Sequence, residues 1–322
     1  MKVDNHRRSR YNSLREFIIV GKKGTYFMNI LNFILLGISL SCVVFGSCIN
    51  NKVAKSLLTN YSDNLFYNLL LHGVGTVVML LYARRFAIHS TTLLLAALFG
   101  FDSVLCCVIS VLAFKNGPLG LTTLVTSAGS LLFSTILGTV LFHETAAPIQ
   151  VAGIALILAA MCILTNTRSE GNINRTWFFL VIAEAFCGGM QGIIQKWQGS
   201  TPYAEEKPAF LLYTFIFCTV FVGIWLFVRT RTIKSEPVNV TLKSFLLPAA
   251  LITGCTTAVV NIINLRLAIE VPAVVFFPIN SGGYIILTSI ASSLYFKEKL
   301  TRQQKLSFVI CFAAVFLVAN VF

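Results

Sequence analysis

Ten apolar runs alternate with short polar breaks along this chain of 322 residues, each close to the ~20 residues needed to cross the hydrocarbon core of a bilayer. They fall at 28–50, 65–83, 91–114, 118–142, 147–165, 176–197, 209–229, 243–266, 272–295 and 304–321. Each predicts a transmembrane helix. Breaks as short as Phe142 to Pro148 and Phe296 to Gln303 force neighbouring helices into antiparallel hairpins and leave little mass for a soluble domain.

The pattern repeats. Pro118 to Ala160 lines up with Pro272 to Ala314 at a constant offset of 154, without a gap: Ser127 falls on Ser281, Gly129 on Gly283, Ile136 on Ile290 and Gln150 on Gln304. A weaker echo sets Asn51-Lys52 against Gln195-Lys196 and carries the duplication to whole halves. The expected organisation is a basic tail over 1–24, a first five-helix repeat over 25–166, a polar linker over 167–174 and a second five-helix repeat over 175–322. Because five is odd, the second half enters the membrane from the opposite side. The predicted fold is an all-α integral membrane protein with ten transmembrane helices in a 5+5 inverted-topology repeat, an arrangement that places a binding site near the bilayer midplane.

Composition agrees with the pattern: 56% of residues are hydrophobic, 11% are charged, and mean hydropathy is +0.81. The net charge of +13 would suit nucleic acid in a soluble protein. Here the bases lie in the tail and between apolar runs, as orientation signals and lipid headgroup contacts, and no nucleic-acid partner is expected. Within the tail, Phe17-Ile18-Ile19-Val20 suits a short amphipathic surface segment; a disordered tail is the other reading. With the amino terminus inside, twelve Lys and Arg lie on the cytoplasmic side (seven in the tail, then Arg84, Arg85, Lys196, Lys207 and Arg266), leaving thirteen of the 25 outside. The count is balanced. The weight of the first helix and its flank sets both termini in the cytoplasm, with a multi-pass chain in the cell membrane.

The residues from Pro118 through Phe142-His143-Glu144, and from Pro272 through Phe296-Lys297-Glu298, give the chain its resemblance to the drug/metabolite transporter superfamily, in the ten-helix form with two EamA-type repeats. That family has a fourth helix rich in small residues, ending in a Gly-Glu or similar pair, followed by a polar turn and a fifth helix. His143 and Lys297 stand where glycine is commoner. The likeness covers nearly the whole chain after residue 28 and implies carriers with both termini inside, many of them exporters of amino acids, other metabolites or drugs.

Ionisable groups inside membrane spans are costly and need an account. Asp102 and Glu184 are the two acids so placed, and both are candidates for proton or cation coupling. Glu184 begins a stripe at i, i+4, i+7 and i+11 with Gly188, Gln191 and Gln195, all on one helix face. The bland reading of both acids is interhelical hydrogen bonding. His72 reads as a core histidine, with a relay as the functional alternative. Thr257, Asn261 and Asn264 form a second stripe, whose mates at the offset of 154 are Ser103, Cys107 and Ser110; cavity lining is expected for Asn261 and Asn264, and packing for the helix-three face. In the ninth helix Pro278, Gly282 and Gly283 are kink or gating candidates, while Asn280, Ser281, Tyr284 and the matching Ser127 join Gln191 as substrate-binding candidates. Glu144 and Glu298 read as caps of the following helices, and Arg266 with Glu270 as an interfacial pair.

All nine cysteines fall in apolar segments, where Cys behaves as a small hydrophobe, so no disulfide framework, metal site or cofactor is expected. No P-loop and no clustered nucleophile, base and acid is present, and the chain is not expected to be an enzyme. The leading expectation is a secondary active transporter of a small metabolite, such as an amino acid or a drug-like amphiphile, with protons and the bilayer as further partners. The alternatives are an antiporter of nucleotide sugars or other phosphorylated metabolites, which would want Lys or Arg inside the cavity, and a scaffold or receptor on a carrier fold. Monomer and homodimer both stay open.

Overall fold

The computed structural model describes residues 16–21, 24–83, 85–141, 148–165, 175–232, 238, 245–270, 273–297 and 302–318. They form one antiparallel hairpin, β1 (Glu16–Gly21) and β2 (Gly24–Asn29), followed by ten α-helices: α1 (Ile30–Ser56), α2 (Tyr61–Tyr82), α3 (Ser90–Asn116), α4 (Leu119–Leu141), α5 (Pro148–Thr165), α6 (Arg175–Ser200), α7 (Lys207–Thr232), α8 (Leu246–Glu270), α9 (Ala273–Leu294) and α10 (Arg302–Val318). A 3-10 turn over Ala204–Glu206 leads into α7. The expected Glu144 and Glu298 caps lie outside the described residues.

The hairpin replaces the amphipathic or disordered segment expected in the tail. It pairs Ile18 with Phe27, Ile19 with Tyr26 and Val20 with Thr25, and β-branched and aromatic residues of this kind favour a pleated strand. Two helix boundaries also move for physical reasons. The first span extends beyond Asn51-Lys52 because Val53 and Ala54 are buried in a cluster with Leu58, Tyr67 and Leu246. The second begins at Tyr61 because Asn60 and Asp63 form a reciprocal capping box, which satisfies two otherwise orphaned backbone donors.

Among the described residues six helical segments are long and apolar enough to cross a membrane: Ile30–Ser56, Tyr61–Tyr82, Ser90–Asn116, Arg175–Ser200, Ala204–Thr232 and Leu246–Leu267. Their outward faces carry large apolar side chains, such as Leu81 at 85% exposure and Phe179 at 70%. Apolar surface on this scale suits hydrocarbon rather than water, and the chain has the make-up of an integral membrane protein.

Packing joins early helices to late ones. α4 packs on α6, α3 on α6 and α7, α1 on α8 and α9, and α2 on α8, with α2–α7, α4–α9 and α5–α10 as further pairs. If the helices are numbered round a ring of ten, adding five to both members of a pair returns another pair: α4–α6 becomes α9–α1, α3–α6 becomes α8–α1, and α3–α7 becomes α8–α2. Glycines mark the same crossings. A β-carbon on Gly129 would meet Ala185 Cβ of α6 at 2.6 Å, and one on its mate Gly283 would meet Leu40 Cδ1 of α1 at 2.7 Å. Likewise Gly100 sits against Phe217 of α7 at 2.9 Å, and Gly254, 154 residues on, against the Leu71 carbonyl of α2 at 2.6 Å. Small residues let membrane helices approach closely enough for dispersion to hold them. At Gly189 the added atom would meet Phe133 Cβ at 2.7 Å and the Ser134 amide nitrogen at 3.0 Å.

Two stability predictions follow from backbone geometry. Gly189→Val should force α4 and α6 apart and lower stability by about 1–3 kcal/mol, the usual range for overpacking, read as a lower unfolding temperature in detergent. Lys297 has a φ of 52°, in the left-handed region that costs a β-carbon-bearing residue roughly 1–2 kcal/mol. Lys297→Gly should therefore raise the unfolding temperature, and an unchanged or lower value would show that the lysine side chain compensates.

Candidate functional site

A cavity of about 350 Å³ lies among α1, α4, α6, α8 and α9. The first wall is α1, through Cys42, Gly46, Ser47 and Asn50. α4 adds Ser130 and Ser134, α6 adds Gly188, Gln191 and Gln195, α8 adds Thr257, Asn261 and Asn264, and α9 adds Asn280 and Ser281. Helical spacing explains the selection: Gly188, Gln191 and Gln195 share one face, as do Thr257, Asn261 and Asn264. Most of these positions lie in the middle turns of the helices, with Gln195 and Asn264 nearer the ends of α6 and α8. Gln195 is five residues from the end of α6 and Asn264 six from the end of α8, about 8–9 Å at 1.5 Å per residue.

Beyond the cavity, toward the ends marked by Ser56 of α1, Tyr61 of α2 and Leu246 of α8, hydrogen bonds between helices close the bundle. Ser47 and Tyr284 pair through their hydroxyls at 2.7 Å. Tyr67 donates to Asn50 Oδ1 at 2.7 Å and pairs with the Thr253 hydroxyl at 3.0 Å, while Thr123 donates to Thr288 at 2.9 Å. This layer links α1, α2, α4, α8 and α9. On the other side of the cavity Ser39 donates to Asn264 Oδ1 at 2.6 Å.

Of the expected binding residues, Gln191, Asn261, Asn264, Asn280 and Ser281 line the cavity. Tyr284 does not, because its hydroxyl is engaged by Ser47. Ser127 is 7% exposed and lies one turn before the lining residues Ser130 and Ser134. Gly282 is buried and Gly283 packs on Leu40. α9 runs as one helix through Pro278, whose side chain lies outside the described residues. Residues that the sequence reading passed over are Ser47 and Asn50, Ser130 and Ser134, and Thr256. Ser47 and Asn50 fall near the expected end of the first span at residue 50, and Ser130 and Ser134 continue the face of Ser127 at i+3 and i+7, a spacing that could have found them.

The two acids lie beside the cavity rather than in its wall. Glu184 of α6 faces Ser110 of α3, and Asp102 of α3 faces Cys187 and the lining residue Gln191. Each retains one buried oxygen, Asp102 Oδ2 and Glu184 Oε2, with no hydrogen-bond partner among the described residues. The helix-three polar face thus meets α6, while its counterpart on α8 meets open space. His72 is buried edge-on to Phe215 with ring centroids 6.3 Å apart, and both its ring nitrogens lack partners among the described residues.

No family profile and no curated protein matches the chain. A solved crystal structure, described only as that of a protein, is similar at a TM-score of 0.57 over 91% of this chain and 96% of that one, with 12% sequence identity. The likeness is one of fold. It leaves the site to be read from its own residues.

In a variant with the native cysteines replaced by alanine, Ser281→Cys should react with a small water-soluble thiol reagent, and Ser127→Cys should react at least about tenfold more slowly because the thiolate must reach water to react. Equal rates would mean that the cavity does not admit solvent where the lining residues place it.

Proposed function

We propose that the chain is a secondary carrier that moves a small metabolite across the membrane by alternating access, on ten membrane-crossing helices in a 5+5 inverted repeat. Helix pairing that returns to itself when five is added to both partners supports the repeat, as do matched glycines at matched crossings. The resemblance of the two Pro-to-Glu segments to the drug/metabolite transporter superfamily points the same way, and within that reading the chain is an exporter with both termini in the cytoplasm.

The observation that carries the proposal is the cavity: a polar chamber in the middle turns, walled by helices of both halves and sealed at one end. Carriers built from inverted repeats keep their site at such a place. The seal has a counterpart. Tyr284 corresponds to Ser130 at the offset of 154, and Ser47 corresponds to Gln191 in the register that sets Asn51 on Gln195. The first pair is bonded, whereas both members of the second line the open cavity. Alternating access then consists of exchanging one closure for the other. A phosphorylated cargo is disfavoured, since among the described lining residues none is Lys or Arg.

Glu184 is the proposed proton site, with Asp102 coupled to the cavity through Gln191. How tightly an acid holds its proton depends on its surroundings, which alternating exposure changes. The test is uptake into proteoliposomes of a pooled panel of amino acids, nucleosides, sugars, organic cations and sugar phosphates, with and without a pH gradient. Wild type should accumulate one class when the gradient is imposed, and Glu184→Gln should exchange that solute yet lose the accumulation. Identical behaviour would make Glu184 an interhelical packing residue, and no uptake of any class would remove the carrier reading.

A further inference from the structure

Within the carrier reading, the cavity wall specifies the chemistry of the cargo. We infer that the site takes an uncharged, polyhydroxylated solute of about monosaccharide size, a sugar or a polyol.

Three observations lead there. First, the described residues that line the cavity include four Asn, two Gln, four Ser and two Thr, and none that carries a charge. A zwitterion, anion or cation entering such a chamber gives up its water without gaining a counter-ion, and burying an unpaired charge is strongly unfavourable. Second, the wall offers both hydrogen-bonding senses. Asn264 Oδ1 is taken by Ser39 and Asn50 Oδ1 by Tyr67, so these amides have their NH₂ groups to donate. Asn261 instead donates its Nδ2 to the Thr257 carbonyl at 2.9 Å, which leaves its oxygen as an acceptor. The Asn280 Oδ1 atom is buried with no partner at all among the described residues. A phosphate or carboxylate asks only for donors and an ammonium only for acceptors. A hydroxyl asks for both, and several hydroxyls on one small frame satisfy a wall of this mixed kind. Third, no aromatic side chain is among the described residues lining the cavity, so a nucleobase or an aromatic amino acid finds no ring to stack on. At about 30 Å³ for each water, 350 Å³ holds roughly a dozen waters, room for one monosaccharide with a few waters left.

Asn280 is the residue most committed to a ligand. A buried acceptor left unpaired is disfavoured; Asn280 lines the cavity with this oxygen covered, and a small turn of its amide toward the space lets a solute hydroxyl pair with it. Replacing Asn280 removes this atom without breaking any bond that the described residues make to it.

The test is ligand binding to the purified full-length protein in detergent, read as a saturable rise in unfolding temperature and checked by titration calorimetry. The probes are a hexose, the corresponding linear hexitol, the hexose phosphate, the hexuronic acid, the amino-hexose, a nucleoside and a neutral amino acid. The expected result is binding of the hexose or the hexitol, with each charged analogue at least about tenfold weaker. Asn280→Ala should weaken that binding about tenfold, the equivalent of one well-made hydrogen bond, and leave the unfolding temperature of the ligand-free protein unchanged. Asn264→Leu should weaken it as well, but with some loss of stability because the bond to Ser39 goes too. A charged analogue that binds as well as its parent would overturn the inference. So would binding of the nucleoside or the amino acid with the sugars silent, or silence from every neutral polyol with the protein folded. Uptake separates the two levels: transport of a charged solute would sink the inference and keep the carrier, whereas sugar binding without uptake by proteoliposomes would sink the carrier and keep the site.

Discussion

Helix backbones from the early and late parts of the chain approach so closely that no β-carbon fits between them, and the rest of the structure depends on that approach. In a bilayer there is no hydrophobic drive to press one apolar helix against another, so dispersion at short range and interhelical hydrogen bonds must hold them together. Gly129 and Gly189 between α4 and α6, Gly100 between α3 and α7, and Gly254 between α8 and α2 each remove the side chain that would keep two backbones apart, while Gly283 of α9 makes room for the Leu40 side chain of α1. Each of these crossings binds an early helix to a late one, so neither half closes its own core. The cavity is the space that remains where α1, α4, α6, α8 and α9 diverge.

The polar groups divide by depth. In the middle turns amides and hydroxyls face open space, while nearer the Ser56 end they are spent on one another. Tyr67 shows the economy of the second arrangement: one hydroxyl reaches both Asn50 and Thr253 and so ties three helices. The acids belong to neither layer. Glu184 and Asp102 sit at the packed interface of α3 and α6, close to Gln191 but out of the wall.

Much of this was legible in the sequence, because helical spacing reports which side chains share a face. The stripes Gly188, Gln191, Gln195 and Thr257, Asn261, Asn264 were readable as faces, and they line the cavity. Depth was not readable in the same way. Glu184 lies on the face of Gln191 but two turns nearer the start of α6, about 10 Å along the axis, and so meets Ser110 instead of the cavity. Tyr284 was readable as a hydroxyl beside Asn280 and Ser281, but a partner on a helix more than two hundred residues away decides whether that hydroxyl is free. Ser47 and Asn50 were hidden because Asn51-Lys52 looks like a helix end, whereas buried Val53 and Ala54 carry α1 onward to Ser56. The hairpin ahead of α1 was obscured by the basic residues around it, which read as a solvated tail, although Ile18, Ile19 and Val20 carry strand preference.

The seal below the cavity joins hydroxyl to hydroxyl and hydroxyl to amide. Every partner in Ser47–Tyr284, Tyr67–Asn50, Tyr67–Thr253 and Thr123–Thr288 is electrically neutral at physiological pH. Dissolved salt has no charge there to screen, and the pH difference between one side of a membrane and the other has no proton there to add or remove. These hydrogen bonds therefore keep the same strength whatever the salt or pH on either side of the bundle, and ionic conditions reach this molecule through its charged groups elsewhere, not through the floor beneath the cavity.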